Sequence, residues 1–212
     1  MPTSPPNPAP DLADRPKREQ ILHGAMQVFL DSGYAGASMD RVAAVAGVSK
    51  NTIYSHFQDK EGLFTALIEW IAAQRLQSAF GDASLTGEPA VVLSQLAHRI
   101  LDVILGDRDY LEFLRLIVAE SGRFPHLAQL FVRHLPRQGL AILTTYLRSR
   151  PELDLPHPEA AARIFLNSLI AFAMTQNLLY GSTIIPLTSQ ELIDTLVTLL
   201  VRQAAPQPRS LG

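Results

Sequence analysis

The sequence predicts an all-α protein, with three short helices at its amino-terminal end followed by a larger helical region. Three observations carry this. Apolar residues recur at i, i+3, i+4 and i+7 over most of the chain, the spacing that places them on one helix face. No segment alternates with period two, and no repeat of 20 to 50 residues is present. Gly, Pro and Asp clusters such as "TGEP", "GDRD", "SGRFP" and "PELDLPHP" punctuate the apolar stripes where helices would stop.

Residues 1–14 hold five prolines and little to bury, and are read as a disordered tail. Pro16 suits a first helical turn, and Ile21, Ala25, Val28 and Phe29 share a face until Gly33 ends the helix. Ser38 caps a second helix whose inner face is Met39, Val42, Ala43 and Ala46, and Gly47 closes it. Ser49 caps a third helix of about eight residues, with Ile53 and Phe57 inward. Asp59 caps a fourth, running from Lys60 to about Ala79 through Leu63, Leu67, Trp70 and Ile71. Further helices are predicted over 89–105, 109–121, 125–149 with a kink at Pro136, 158–181 and 188–204. The domain reading is a tail (1–14), a helix-turn-helix domain (15–62) and a helical domain (63–212).

Composition narrows the function. The 212 residues are 47% apolar and 18% charged, which fits a globular protein. The absence of cysteine excludes disulfides, thiol nucleophiles and thiolate metal sites. The first residues lack the basic and apolar regions of a signal peptide, and no apolar run reaches membrane-spanning length. The expectation is a cytoplasmic protein with no membrane partner. Histidines 23, 56, 98, 126, 134 and 157 contain no i, i+4 pair, and no H-E-x-x-H, G-x-S-x-G or phosphate-loop motif is present. No enzymatic activity, cofactor or metal is expected. The net charge of −2 is unevenly spread. Between Arg15 and Lys60 six Lys/Arg stand against four Asp/Glu, and all three lysines of the chain lie there, as would suit contact with a polyanion.

The stretch "AGVSKNTIYSHFQDK" concentrates that chemistry. Two short helices joined by a turn at Gly47 form a helix-turn-helix. With Ile53 and Phe57 inward, Asn51 and Ser55 face outward, flanked by Thr52 and Tyr54. That face carries donors and acceptors and no carboxylate, as a helix reading base edges in a major groove requires. Lys50, Tyr54 and His56 are placed to meet phosphates. Lys60, in a first turn, opposes its own helix dipole, a position that suits a cation if an anion binds there. A protein-interaction module without DNA binding would leave Lys60 and the 51–55 face unexplained.

The stretch "QVFLDSGYAGASMDRVAAVAGVSKNTIYSHFQDKEGLF" resembles the DNA-binding domain of the TetR family of bacterial transcriptional regulators. Phe29, Gly33, Tyr34, Ser38, Val42, Ala43, Ala46, Gly47, Val48, Ser49, Lys50, Thr52, Ile53, Tyr54, Phe57, Lys60 and Leu63 carry the likeness over residues 16–64. It implies that Ser38, Thr52, Tyr54, His56 and Lys60 occupy DNA-contacting positions. Ala37, Asn51 and Gly62 depart from the usual pattern, and Asn51 bears on which operator is read. "FLRLIVAESGRFPHLAQLF" (113–131) resembles the AefR-type subgroup. The resemblance implies an all-α regulator with a carboxy-terminal effector-binding and dimerisation domain, repression as the usual mode with activation as the alternative, a double-stranded operator and a small-molecule effector.

The carboxy-terminal residues agree. The helix 158–181 is apolar on two faces, one including Ala161, Phe165, Ser168 and Phe172 and the other Leu166, Leu169, Ala173 and Tyr180; Leu192, Ile193, Leu196, Leu199 and Leu200 give the last helix the same character. A homodimer through Phe165, Phe172, Leu192, Leu196 and Leu199 is expected. Trp70, on the inward face of its helix, and Asn167, within an otherwise apolar one, are the candidate pocket residues. His98 and Arg115 are read as solvated and polar-stripe residues.

Overall fold

A computed structural model describes residues 15–81 and 85–201 of the chain; the tail expected over 1–14 lies outside the described residues, as do the last positions of the helix expected to reach 204. Among the described residues the fold is all-α: α1 (Arg15–Gly36), α2 (Met39–Ala46), α3 (Lys50–His56), α4 (Lys60–Phe80), α5 (Pro89–Leu105), α6 (Arg108–Glu120), α7 (Pro125–His134), α8 (Pro136–Arg148), α9 (Pro158–Ala173) and α10 (Ser189–Val201). Two compact units result, one running to Trp70 and the other beginning at Ile71. The division therefore falls inside α4 rather than at the expected 62/63, because the first turns of α4 bury Leu63, Phe64 and Leu67 in the amino-terminal core.

In that first unit α1 packs on α2, and α2 on α3. Ile21, Leu22, Ala25, Val28 and Phe29 are buried along one face of α1. Phe64 sets its edge against Phe29 (4.8 Å) and Tyr34 (5.1 Å), joining α4 to the same core. Gly33 breaks α1 with φ 70° and ψ 170°, a conformation open to glycine, and one further turn follows it. The crossing of α1 and α2 is close: a Cβ on Gly24 would lie 2.8 Å from that of Ala46.

In the second unit α9 packs on α8 and α5, α10 lies on α5, and α7 packs on both α6 and α8. Leu93, Leu96, Phe113, Leu143, Phe165, Leu169 and Ile193 are buried at its centre. The helix expected over 125–149 is two helices. Leu135 (φ −118°, ψ −70°) leaves helical geometry and Pro136 restarts the chain, since proline cannot donate the hydrogen bond that would join them. The helix expected to reach 181 stops as an α-helix at Ala173. A π-turn over Met174–Leu178 follows, with Tyr180 left-handed at φ 56°. Arg115 of α6 takes up the freed end by donating to the Leu178 carbonyl (2.9 Å) and stacking on the Tyr180 ring. It also pairs with Glu112 as the polar-stripe reading has it, and His98 is exposed. No single helix among the described residues is long and apolar enough to cross a membrane.

Candidate nucleic-acid interface and ligand cavity

The α2–α3 turn is built from local chemistry. The Ser38 hydroxyl accepts from the Arg41 N–H (3.2 Å) and starts α2. Gly47, left-handed at φ 64° and ψ 36°, ends it, and its N–H and that of Val48 return to the last carbonyls of the helix. Gln20 of α1 donates to the Ala46 carbonyl (2.7 Å), a long-range cap that local patterning does not reveal. Ser49 then caps α3 by accepting from the Thr52 N–H (3.1 Å).

Burial of Ile53 and Phe57 turns the opposite side of α3 outward. Asn51, Tyr54 and Ser55 are exposed there, while Thr52 and His56 are half-buried. The groups differ in how far they are already engaged. The side chains of Asn51 and Tyr54 make no hydrogen bond among the described residues. The Thr52 hydroxyl pairs with that of Ser49 (2.7 Å), and the Ser55 hydroxyl donates to the Thr52 carbonyl (2.8 Å). Lys50 is paired with Asp40 at 2.6 Å, and that hydrogen bond raises its pKa above the ordinary lysine value. Both partners are largely solvent-exposed, so the pair is one that a phosphate can displace.

Lys60, expected to meet an anion, already has partners within the protein. Its ammonium donates to the carbonyls of Tyr34 (2.9 Å), Ala35 (3.2 Å) and Ala37 (3.2 Å), and it lies 4.7 Å from the centroid of the Tyr34 ring. These are carbonyls left free where α1 ends at Gly36 and the chain turns toward α2. The three N–H donors of an ammonium are thus spent inside the protein, and they offset the unfavourable place in the α4 dipole.

The second unit holds a partly open cavity of about 440 Å³. Its wall draws on the end of α4, on α5 and α6, on the α7–α8 break and on α9, and is mainly Leu, Ile, Val and Phe. Asn167 lines it, as do Arg75, Tyr110, Arg137 and Arg163. Trp70 does not: it belongs to the other unit, where its ring stands edge-on to His23 at 4.7 Å. Arg75 crosses the Tyr110 ring at 4.5 Å and hydrogen-bonds the Asp107 carboxylate. Burial works to raise the Asp107 pKa, but the bonds from Arg75 and from the Tyr110 and Asp109 backbones prevail and hold it below the ordinary carboxylate value. Tyr110 is only 4% exposed, and its hydroxyl has no hydrogen-bond partner among the described residues. Burial, opposed by Arg75 and aided by Asp107, pushes it up to about 12, so it is a neutral donor at physiological pH. Neither Arg75 nor Tyr110 was singled out in the sequence, because both sit on helix faces whose inward turn only packing reveals.

The candidate dimer residues divide. Phe165 (0% exposed) and Leu196 (7%) lie in the core of their own protomer and are withdrawn from the interface. Leu199 is exposed, and Phe172 and Leu192 are half-buried. Ile164, not predicted, is 63% exposed on α9. The misassignment is one of phase: a helix apolar all round does not say which stripe faces its own core.

A helix-turn-helix with an open polar face, followed by a larger all-helical unit holding an apolar cavity, defines a class of protein: a DNA-binding transcriptional regulator. The family model for bacterial regulatory proteins of the tetR family matches residues 21–67, and that for the AefR-like transcriptional repressor carboxy-terminal domain matches residues 91–203. The chain belongs to the TetR family of bacterial transcriptional regulators, with an AefR-like carboxy-terminal domain. It is a DNA-binding transcriptional regulator. It is 43% identical to the transcriptional repressor AcnR of Corynebacterium diphtheriae over 82 residues, 39% of this chain and 41% of AcnR. A TetR-family regulator structure from Mesorhizobium loti superposes with a TM-score of 0.74 at 27% identity, covering 91% of this chain and 98% of that one. The flavonoid-responsive regulator FrrA gives 0.71 at 28% identity, covering 92% and 100%.

Proposed function

We propose that this regulator is a homodimeric repressor that occupies a near-palindromic operator and is released by a small apolar effector bound in the cavity of its second unit. The observation that carries the reading is that cavity: about 440 Å³, apolar, with a few placed polar groups, which is the make-up of a small-molecule site. FrrA, of comparable fold, is by its name flavonoid-responsive, and AcnR is a repressor. Asn51 and Thr52 read bases from α3, and Ser38, Lys50, Tyr54, Ser55 and His56 meet the DNA backbone or the groove edge. Asn51 and Tyr54 support this most directly, being exposed and uncommitted to internal bonds.

Two copies meet through the outward stripes of α9 and α10, where Ile164 and Leu199 are exposed and Phe172 and Leu192 half-exposed. Apolar side chains on adjacent helices of one unit form the kind of patch that an isologous partner covers. Two heads on such a dimer meet half-sites one helical turn apart, ~34–36 Å. Effector and operator affinities are then linked, with a coupling of roughly 1–3 kcal/mol.

The test maps the DNA sites bound in cells and screens hydrophobic metabolites against the operator complex. The expected result is a near-palindrome and a compound that both stabilises the protein and weakens operator binding. A compound that stabilises it and leaves operator affinity unchanged refutes induction. Leu199→Glu should give a folded monomer that binds the operator weakly, since a charge in a desolvated interface is left unpaired. A dimeric Leu199→Glu variant of wild-type affinity would refute the interface.

A further inference from the structure

The polar side of the cavity restricts what chemistry its ligand can have. Three arginines line it, Arg75, Arg137 and Arg163, and no aspartate or glutamate does. Arg75 is neutralised by Asp107, and Arg163 by Glu159 one helical turn away at 3.2 Å. Arg137 has no ion pair or hydrogen bond among the described residues.

Its position makes that absence informative. The α7–α8 break brings Leu135, Pro136 and Arg137 together to the cavity wall, so α8 begins there. Leu135, at the cap position, supplies no side-chain hydrogen bond. The start of a helix is a site of partial positive charge with free N–H groups, and a cation in that turn adds to it. Lys60 resolves the same conflict with three backbone carbonyls, whereas Arg137 has no such acceptor. The second observation is independent. Tyr110, all but fully buried on the wall of the same cavity, keeps an unpartnered hydroxyl, which a purely hydrocarbon ligand would leave unsatisfied at a cost.

Resting on the reading of this cavity as the effector site, we propose that the effector is an apolar carboxylic acid, its carboxylate held by Arg137 at the start of α8 and its hydrocarbon body filling the cavity. An arginine and a carboxylate form a charge-assisted hydrogen-bonded pair, and the helix start favours the same charge. The apolar walls exclude small hydrophilic anions, which would lose their hydration there for little packing gain. The body is aliphatic or aromatic, and these two sources of one chemistry are separated by the probes.

The experiment is calorimetric titration of the full chain with two matched pairs: decanoate against 1-decanol, and 2-naphthoate against 2-naphthalenemethanol. At least one carboxylate should bind about ten-fold or more tightly than its alcohol, a difference of about 1.4 kcal/mol. Arg137→Gln, at an exposed position where the fold is unaffected, should remove that preference while leaving the alcohol's affinity near wild type. The pair that binds identifies the body as aliphatic or aromatic. Alcohols that bind as tightly as the acids overturn the acid assignment and leave the effector site standing. A carboxylate preference that survives Arg137→Gln also overturns it. If no probe of either pair binds, the acid assignment falls, while the effector-site reading stands or falls by the wider screen of hydrophobic metabolites.

Discussion

Lys60→Ala separates the two roles a lysine can have at the start of α4. Its ammonium makes three hydrogen bonds to carbonyls left free at the end of α1 and one cation–π contact with Tyr34. A hydrogen bond involving a charged group contributes roughly 1.5–3 kcal/mol, and the three here share one ammonium, so their contributions do not add. The ring contact adds about 0.5–1 kcal/mol. Removing a cation from a first turn returns about 0.3–1 kcal/mol. The net loss is then about 2–3 kcal/mol, and the carbonyls left without a donor keep it from being smaller. Trp70 is the sole tryptophan and lies in the same unit, so its emission follows the unfolding of that unit in urea. The midpoint should fall by roughly 1–2 M. Below the transition, the variant should bind random duplex DNA with the wild-type salt slope. A variant that keeps the wild-type midpoint while its slope flattens by about one would show that Lys60 holds a phosphate and that the carbonyl cage contributes little.

Asn51→Ala should reduce discrimination between operator and mismatched DNA by about 1–3 kcal/mol at one base position in each half-site, read by competition binding, with affinity for random DNA little changed. Gly24→Ala should destabilise the first unit in urea: helix propensity alone would gain about 1 kcal/mol, but the new Cβ lies 2.8 Å from that of Ala46, and overpacking costs roughly 1–3 kcal/mol. A stabilised variant would show that α1 and α2 can separate at no cost. Tyr110, held up at about 12 against an ordinary 10.0, contributes stability that is complete below pH 10.0 and is lost as pH rises through about 12. Wild type should therefore lose more stability over that window than Tyr110→Phe, as followed by circular dichroism; equal losses would place the phenol in water.

The features legible along the chain are those that depend on near neighbours in it. Ser38, Ser49 and Gly47 cap where their types and spacing predict, because a cap joins atoms two to four residues apart. Ile53 and Phe57 face inward as predicted because a helix apolar on one side only has a single way to turn. The family followed from the same stretch. Tertiary structure decided the rest. Lys60 reads as misplaced until the carbonyls of residues 34, 35 and 37 come within reach, 23 to 26 positions away. On α9 and α10, apolar on more than one side, spacing could not tell Phe165 and Leu196, which are buried, from Ile164 and Leu199, which are exposed. The cavity was still less legible: the sequence suggests Asn167, but Arg75, Tyr110 and Arg137 lie on three other helices and acquire a common environment with it only when those helices pack. A helix's period is set by its own backbone hydrogen bonds, whereas the side it turns inward is set by the surface available to bury it.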